Sequence, residues 1–250
     1  MSERTAVTLR SLIDIAAAVP GVLGFAPTES LVLLAADGGP SARVDLVPGC
    51  AEAIAGPIAP HVNRCVVLVY TNGEPEPWLS DAIATFTAAG IEVMVPGLHV
   101  EGSHVHVGDQ SWEFDVRDSE VTAQRVLEGR TVASSREELA ALVAYDGRST
   151  PCLPDLDDDE TRDSWVTCIR PGAKQLAFYT NLLSQTADDH PYIGHVSALA
   201  ACSAWVNGNG GLAWLCLDRT EHTTLGALVA SMLEHAVNPD NFLAMFGEPS

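Results

Sequence analysis

The chain is poor in positive charge and in aromatic residues, and it has no Cys-x-x-Cys pair. Thirteen Lys and Arg residues face thirty-three Asp and Glu, a formal net charge of −20 at pH 7. A nucleic-acid binder needs cations to displace counterions from phosphates, so direct binding to DNA or RNA is not expected. An anionic membrane surface repels such a chain for the same reason. The deficit is even, −10 on each side of residue 125, so no basic lobe is hidden in the total. Only Lys174 is a lysine, a skew that fits a GC-rich genome. Without Cys-x-x-Cys spacing there is no zinc ribbon and no thioredoxin-type pair. The six cysteines sit mostly in apolar stretches, Cys65 and Cys216 among them, and read as buried free thiols of a reducing cytoplasm.

Long apolar runs are missing as well. The stretch Leu12–Ala26 is broken by Asp14, Pro20, Gly21 and Gly24, and a membrane helix needs about 20 apolar residues. Arg4 and Arg10 precede it as they would in a signal peptide, but Asp14 inside the apolar region argues against one. A short helix is the better reading, with Ser11 and Asp14 as its cap and Pro20 as its end. A phosphate-cradling loop around Lys174 and a Gly-x-Ser-x-Gly elbow are both absent.

What is present is apolar mass. Of 250 residues, 47% are hydrophobic, enough to offset the ordering entropy that keeps polar chains disordered. One large domain or two small ones fit this length. Ser30–Ala36 is a continuous apolar run closed by Asp37-Gly38-Gly39-Pro40, and Ser41–Val47 alternates. Together they read as a hairpin. A helix is expected over Ala51–Val62, broken near Pro57. Cys65–Tyr70 reads as a strand buried on both faces. Pro77 opens a helix that Gly90 stops, and Ile91–Val95 is expected as the next strand, making a parallel βαβ unit. Leu98–Val100, His104–Val107 and Ser111–Phe114 read as an antiparallel appendage.

Beyond residue 117 the period becomes helical. Helices are expected over Val121–Leu127, from Ser135 to Tyr145, and over Trp165–Ile169, Gln175–Leu183, Ile193–Val206, Leu212–Leu217, Leu225–Ala236 and Phe242–Phe246. A Pro- and Asp-rich loop spans 147–163. The expected fold is therefore α/β: a mixed sheet with covering helices in residues 1–116, and an all-helical half, 117–250, packed on it as one integrated unit.

Several stretches resemble one family. They are Leu9-Arg10-Ser11, Ala18–Phe25, Pro27, Ser30-Leu31-Val32 and Arg43–Leu46, then Gly129-Arg130 with Ser135-Arg136 and Glu138-Leu139. Last comes Ala204-Trp205, Gly208, Gly210, Leu212–Trp214 and Leu217–Arg219. Together they resemble the domain of unknown function 4192 family of actinobacteria and some of their phages. The resemblance implies lineage and brings no activity, substrate or catalytic residue.

The chemistry-bearing letters are few. Gly208-Asn-Gly-Gly imitates a dinucleotide fingerprint, but a helix precedes it where a strand is required, so the glycines read as a helical turn. Asp155–Glu160 imitates a calcium loop yet has Glu160 where the turn glycine belongs, and reads as a solvated lead-in to a helix. His104 and His106 share one side of a strand, and His99 could join them as a zinc site across a turn. Exposed hairpin polarity explains the same letters. Arg43 and Asp45 form a charged pair that faces either a ligand or a protected sheet edge. Thr71, Asn72 and Pro96-Gly97 stand where parallel strands end and α/β sheets place their sites. Trp205 and Trp214 flank the glycine turn as packing anchors or interface residues. No cofactor is implied. The expected role is a non-catalytic cytoplasmic module acting through a protein partner. The alternatives are a small-molecule enzyme at the strand ends, or an acidic decoy that mimics DNA.

Overall fold

A computed structural model of the chain describes residues 11–128, 132–219, 223–239 and 242. It forms two compact units, Met1–Leu127 with Thr131–Ser135, and Glu128–Arg130 with Arg136–Ser250.

The first unit runs α1 (Leu12–Leu23), β1 (Ser30–Ala35), β2 (Ala42–Asp45), α2 (Cys50–Ile58), β3 (Arg64–Tyr70), α3 (Glu76–Ala88), β4 (Glu92–Val93), β5 (Leu98–Glu101), β6 (His104–Val107), β7 (Gln110–Glu113) and α4 (Glu120–Leu127). The strands make one mixed seven-stranded sheet in the order β2-β1-β3-β5-β6-β7, with β4 paired to β3. β1 pairs antiparallel with both β2 and β3, while β3 pairs parallel with β4 and β5. β1 and β3 lie at the centre and carry apolar side chains to both faces, so each face needs a cover. Leu31, Leu33, Val67 and Val69 pack with α2 and α3, including Phe86 and Ile91. On the opposite face Val32, Leu68, Tyr70, Leu98 and Val100 pack with Ala16, Ala17 and Val19 of α1.

Three expectations are corrected here. Pro20 does not end α1 but lies inside it, and the helix closes at Gly24, whose φ is 88° and whose N–H donates to Pro20 O at 2.8 Å. Burial of Ala16 to Gly21 outweighs the one hydrogen bond that proline forfeits. The stretch Ile91–Val95 yields only the two residues of β4. Pro96 has no N–H for the ladder, and Gly97 lies so close to Leu79 that a Cβ there would stand 2.5 Å from its Cδ2. After this break Leu98 rejoins β3, Leu68 opposite Leu98, so β5 belongs to the parallel part of the main sheet and not to an appendage. β6 and β7 follow antiparallel, as expected.

The second unit is helical: α5 (Arg136–Ala141), α6 (Asp159–Thr167), α7 (Ala173–Gln185), α8 (Ile193–Val206), α9 (Gly210–Leu217) and α10 (Thr224–Glu234). α8 buries twelve of its fourteen residues, as a helix apolar all round must, and α7, α9 and α10 all pack on it. Gly208, with φ 69°, and the cap Asn209, which accepts from Leu212 N, turn α8 into α9. The glycines are thus a helical turn. The loop expected over 147–163 ends early, because α6 already begins at Asp159. The Asp158 side chain caps it by accepting from Thr161 N at 2.9 Å, and Asp159 and Glu160 lie in its first turn. The helix expected from Ser135 to Tyr145 ends at Ala141. The expected helix Phe242–Phe246 lies, apart from Phe242, outside the described residues, as do Leu9-Arg10 and Gly129-Arg130. Arg219 ties the unit together. It donates to Val143 O at 2.8 Å, Leu183 O at 2.6 Å and Thr186 O at 3.0 Å, and pairs with Asp188.

Two stability measurements check these cores. In urea titrations Phe86→Ala should cost about 3–5 kcal/mol, because the ring is fully buried. Arg219→Met should cost about 3 kcal/mol by removing at once the donor to the Val143, Leu183 and Thr186 carbonyls and the partner of Asp188. A loss below about 1 kcal/mol in either would contradict the packing described.

Candidate functional site

The sheet of the first unit has an open end where β3 stops. Beyond Tyr70 the chain leaves the sheet as Thr71 and Asn72, and a cleft of about 1230 Å³ opens there. One wall comes from α1, through Asp14, Ala17 and Pro20. The segment Ala26–Glu29 makes a second, and the stretch from Glu113 to Glu120, after β7, makes a third.

Glu29 fixes one edge. Its φ of 42° is unusual for a residue with a side chain, and the conformation is held by what the carboxylate does. Oε2 accepts from Thr71 Oγ1 at 2.9 Å, and Oε1 accepts from Asn72 N at 3.2 Å. Thr71 Oγ1 in turn accepts from Gly73 N at 3.0 Å. One carboxylate thus ties the start of β1 to the end of β3. Arg43 steadies the same segment from β2, with its Nε donating to Ser30 Oγ at 2.7 Å and its Nη2 to Thr28 O at 3.4 Å.

The electrostatics have one dominant sign. Among the described residues six carboxylates line the cleft, those of Asp14, Glu29, Glu113, Asp115, Asp118 and Glu120, with one cation, Arg117. Arg117 is committed to Asp115 by a contact of 2.6 Å. Its side-chain and backbone hydrogen bonds hold the Asp115 carboxyl below its ordinary range. The floor is less polar. Tyr70 is buried among Ala17, Val100 and Phe114, and burial pushes its hydroxyl well above the usual range, so it stays neutral.

The sequence-predicted residues are partly gathered here. Thr71 and Asn72 line the cleft. Pro96 and Gly97 lie at the break between β4 and β5, away from it. Arg43 and Asp45 meet in a 2.6 Å ion pair on edge strand β2 and do not line the cleft. Arg43 is mostly covered, with its guanidinium 5.9 Å from the Phe25 ring centre, while Asp45 is exposed. His99, His104 and His106 do come together across β5 and β6. The rings of His99 and His106 stack at 5.0 Å, and His104 lies 6.3 Å from His106. His99 Nε2 is 2.9 Å from Thr71 O. Among the described residues no group of three His, Cys, Asp or Glu is placed to hold a metal ion. In the second unit Trp205 is buried edge-on to Phe242 at 5.4 Å, and Trp214 is half-buried on α9.

Four of the six cysteines are withdrawn from chemistry. Cys50, Cys65, Cys202 and Cys216 are buried, and burial raises their thiols, Cys65 to about 11 and Cys202 to about 12. Such thiols are protonated and inert at neutral pH. Glu29, Tyr70 and the carboxylates of α1 and 113–120 were not singled out from the sequence. The run Glu113-Phe-Asp-Val-Arg-Asp-Ser-Glu120 was the available signal, because its charges crowd one short segment after a strand.

The molecule is thus defined as a mixed-sheet α/β unit with an acidic cleft at the end of its central strand, joined in one chain to a helical unit. A family model for the domain of unknown function 4192 matches residues 13–175. The chain therefore belongs to that family. The match ends early in α7, so Ala204–Arg219, which carried part of the resemblance, lies beyond it. No curated protein and no solved structure matches the chain.

Thiol titration checks the burial pattern. Cys152 and Cys168 are exposed and should react within seconds, the other four only on unfolding. Stability should also fall as pH rises above about 9. The unfolded thiols then release protons that the native state still holds, so the unfolded state binds fewer and gains. A flat stability profile from pH 8 to 10 would contradict this.

Proposed function

We propose that the chain is a non-catalytic binding module whose acidic cleft takes a basic segment of a protein partner. The observation that carries this reading is the concentration of six carboxylates round one committed arginine. Such a cleft focuses a negative potential and draws cations to it. Its volume exceeds the roughly 300–1,000 Å³ that suits a drug-sized ligand and leaves room for several residues of peptide. We place its work in the cytoplasm of an actinobacterium or its phage, where the free thiols and the family resemblance fit.

The enzyme reading shares the same cleft and draws support from its place at the end of β3. Among the described residues its titratable lining is carboxylates, Arg117 and the buried Tyr70, so acid–base chemistry there would fall to the carboxylates. The DNA-mimic reading calls for carboxylates spaced along an outer face, and those described here ring a concavity.

The test is calorimetric titration with blocked lysine-rich peptides. Binding should weaken steeply with salt and vanish as pH falls through the carboxylate range near about 4. Glu113→Gln with Asp118→Asn should weaken it about three- to tenfold. Equal affinity in that double variant, or equal binding of an acidic peptide, would defeat the proposal.

A further inference from the structure

The floor of the cleft carries a polar group without a partner among the described residues. Tyr70 is 7% exposed, and its buried hydroxyl makes no hydrogen bond to them. Buried polar groups are nearly always paired, and an unpaired one is a cost that a ligand can relieve. The lining beside it is hydrocarbon: Ala17 and Pro20 of α1, Val100 of β5, and Phe114. Carboxylates begin one step outward. Glu113 and Asp115 flank Phe114, and Asp14 precedes Ala17 by one turn on the same helix face.

The arrangement therefore runs from charge at the mouth, through hydrocarbon, to a neutral hydroxyl. That order selects what each part of a ligand must be. A lysine or arginine head at the floor would lose its hydration against a neutral hydroxyl set among Ala17, Val100 and Phe114. Cationic heads belong at the mouth. The floor suits a neutral group that both donates and accepts. The hydroxyls of Ser and Thr and the amides of Asn and Gln all do so, and of these the amides are the longer and reach past the hydrocarbon of the walls.

We propose that the cleft reads its basic segment by seating one Asn or Gln side chain on the Tyr70 hydroxyl, with lysine or arginine residues to either side held by the carboxylates of the mouth. This rests on the basic-segment reading above and names its specificity-determining residue. The hydroxyl is covered in the free protein, so docking includes a small parting of the side chains above it.

The test uses the full chain and a set of blocked pentapeptides Lys-Ala-Xaa-Ala-Lys, with Xaa each uncharged residue in turn. Asn or Gln peptides should bind about five- to tenfold more tightly than the Ala peptide, as one neutral hydrogen bond allows. In Tyr70→Phe that preference should collapse to the Ala level. The melting temperature of Tyr70→Phe without peptide should equal or exceed that of the wild type, because the hydroxyl it loses had no partner. Binding without an amide preference, or a preference that survives Tyr70→Phe, overturns this proposal and leaves the basic-segment reading standing. A melting temperature lowered by several degrees also overturns it, since the hydroxyl would then serve the free fold. If no lysine-flanked peptide binds, the underlying reading fails and this one with it.

Discussion

Everything in the first unit follows from a central strand that is apolar on both sides. From Cys65 to Tyr70, β3 offers no face to water. A strand of that kind must sit between neighbours and beneath two layers. β1 takes one flank, antiparallel, and β4 with β5 take the other, parallel. α2 and α3 cover one face and α1 the other. The strand ends at Tyr70, and the cleft opens beyond it on the α1 side of the sheet, walled by α1, the segment before β1 and residues 113–120.

A site built that way inherits rigidity from the fold. Glu29 illustrates this. Its backbone is held in a region that side-chain-bearing residues avoid, and such strain persists only where the surroundings over-determine it. Here the surroundings are two hydrogen bonds from the end of β3 and the Arg43 contacts with Thr28 and Ser30 on either side. The exposed partner of Arg43, Asp45, adds little by its ion pair. Arg43 matters more as a strut, because its guanidinium is shielded and donates to the segment that presents Glu29.

The second unit obeys a simpler rule. α8 has no polar face, so other helices must surround it, and α7, α9 and α10 do. Arg219 then donates to the Val143 and Thr186 carbonyls, which follow α5 and α7, and to Leu183 O in the last turn of α7. The acidic run near residue 155 is dispersed by use. Asp155 accepts from Tyr192, Asp157 lies 3.3 Å from His195, and Asp158 caps a helix. Carboxylates that look like a cluster in sequence have separate partners in space.

The sequence by itself determined most of the strands and helices, because that information is local, but not all their ends: Ile91–Val95 keeps two strand residues, and α6 begins inside an expected loop. The unbroken run Cys65–Tyr70, the alternation around Arg43, and the apolar circumference of α8 are each visible in a window of a dozen residues. It also placed Thr71 and Asn72 at a strand end, where a site belongs. Only the tertiary structure decided that Leu98 returns to pair with Leu68, after the break at Pro96 and the close approach of Gly97 to Leu79. Only it decided that Asp14, Glu29 and the 113–120 run share one cleft with Tyr70. Those residues are scattered over a hundred positions, and what brings them together is the common end of a sheet whose strands are ordered by long-range pairing and not by their own letters.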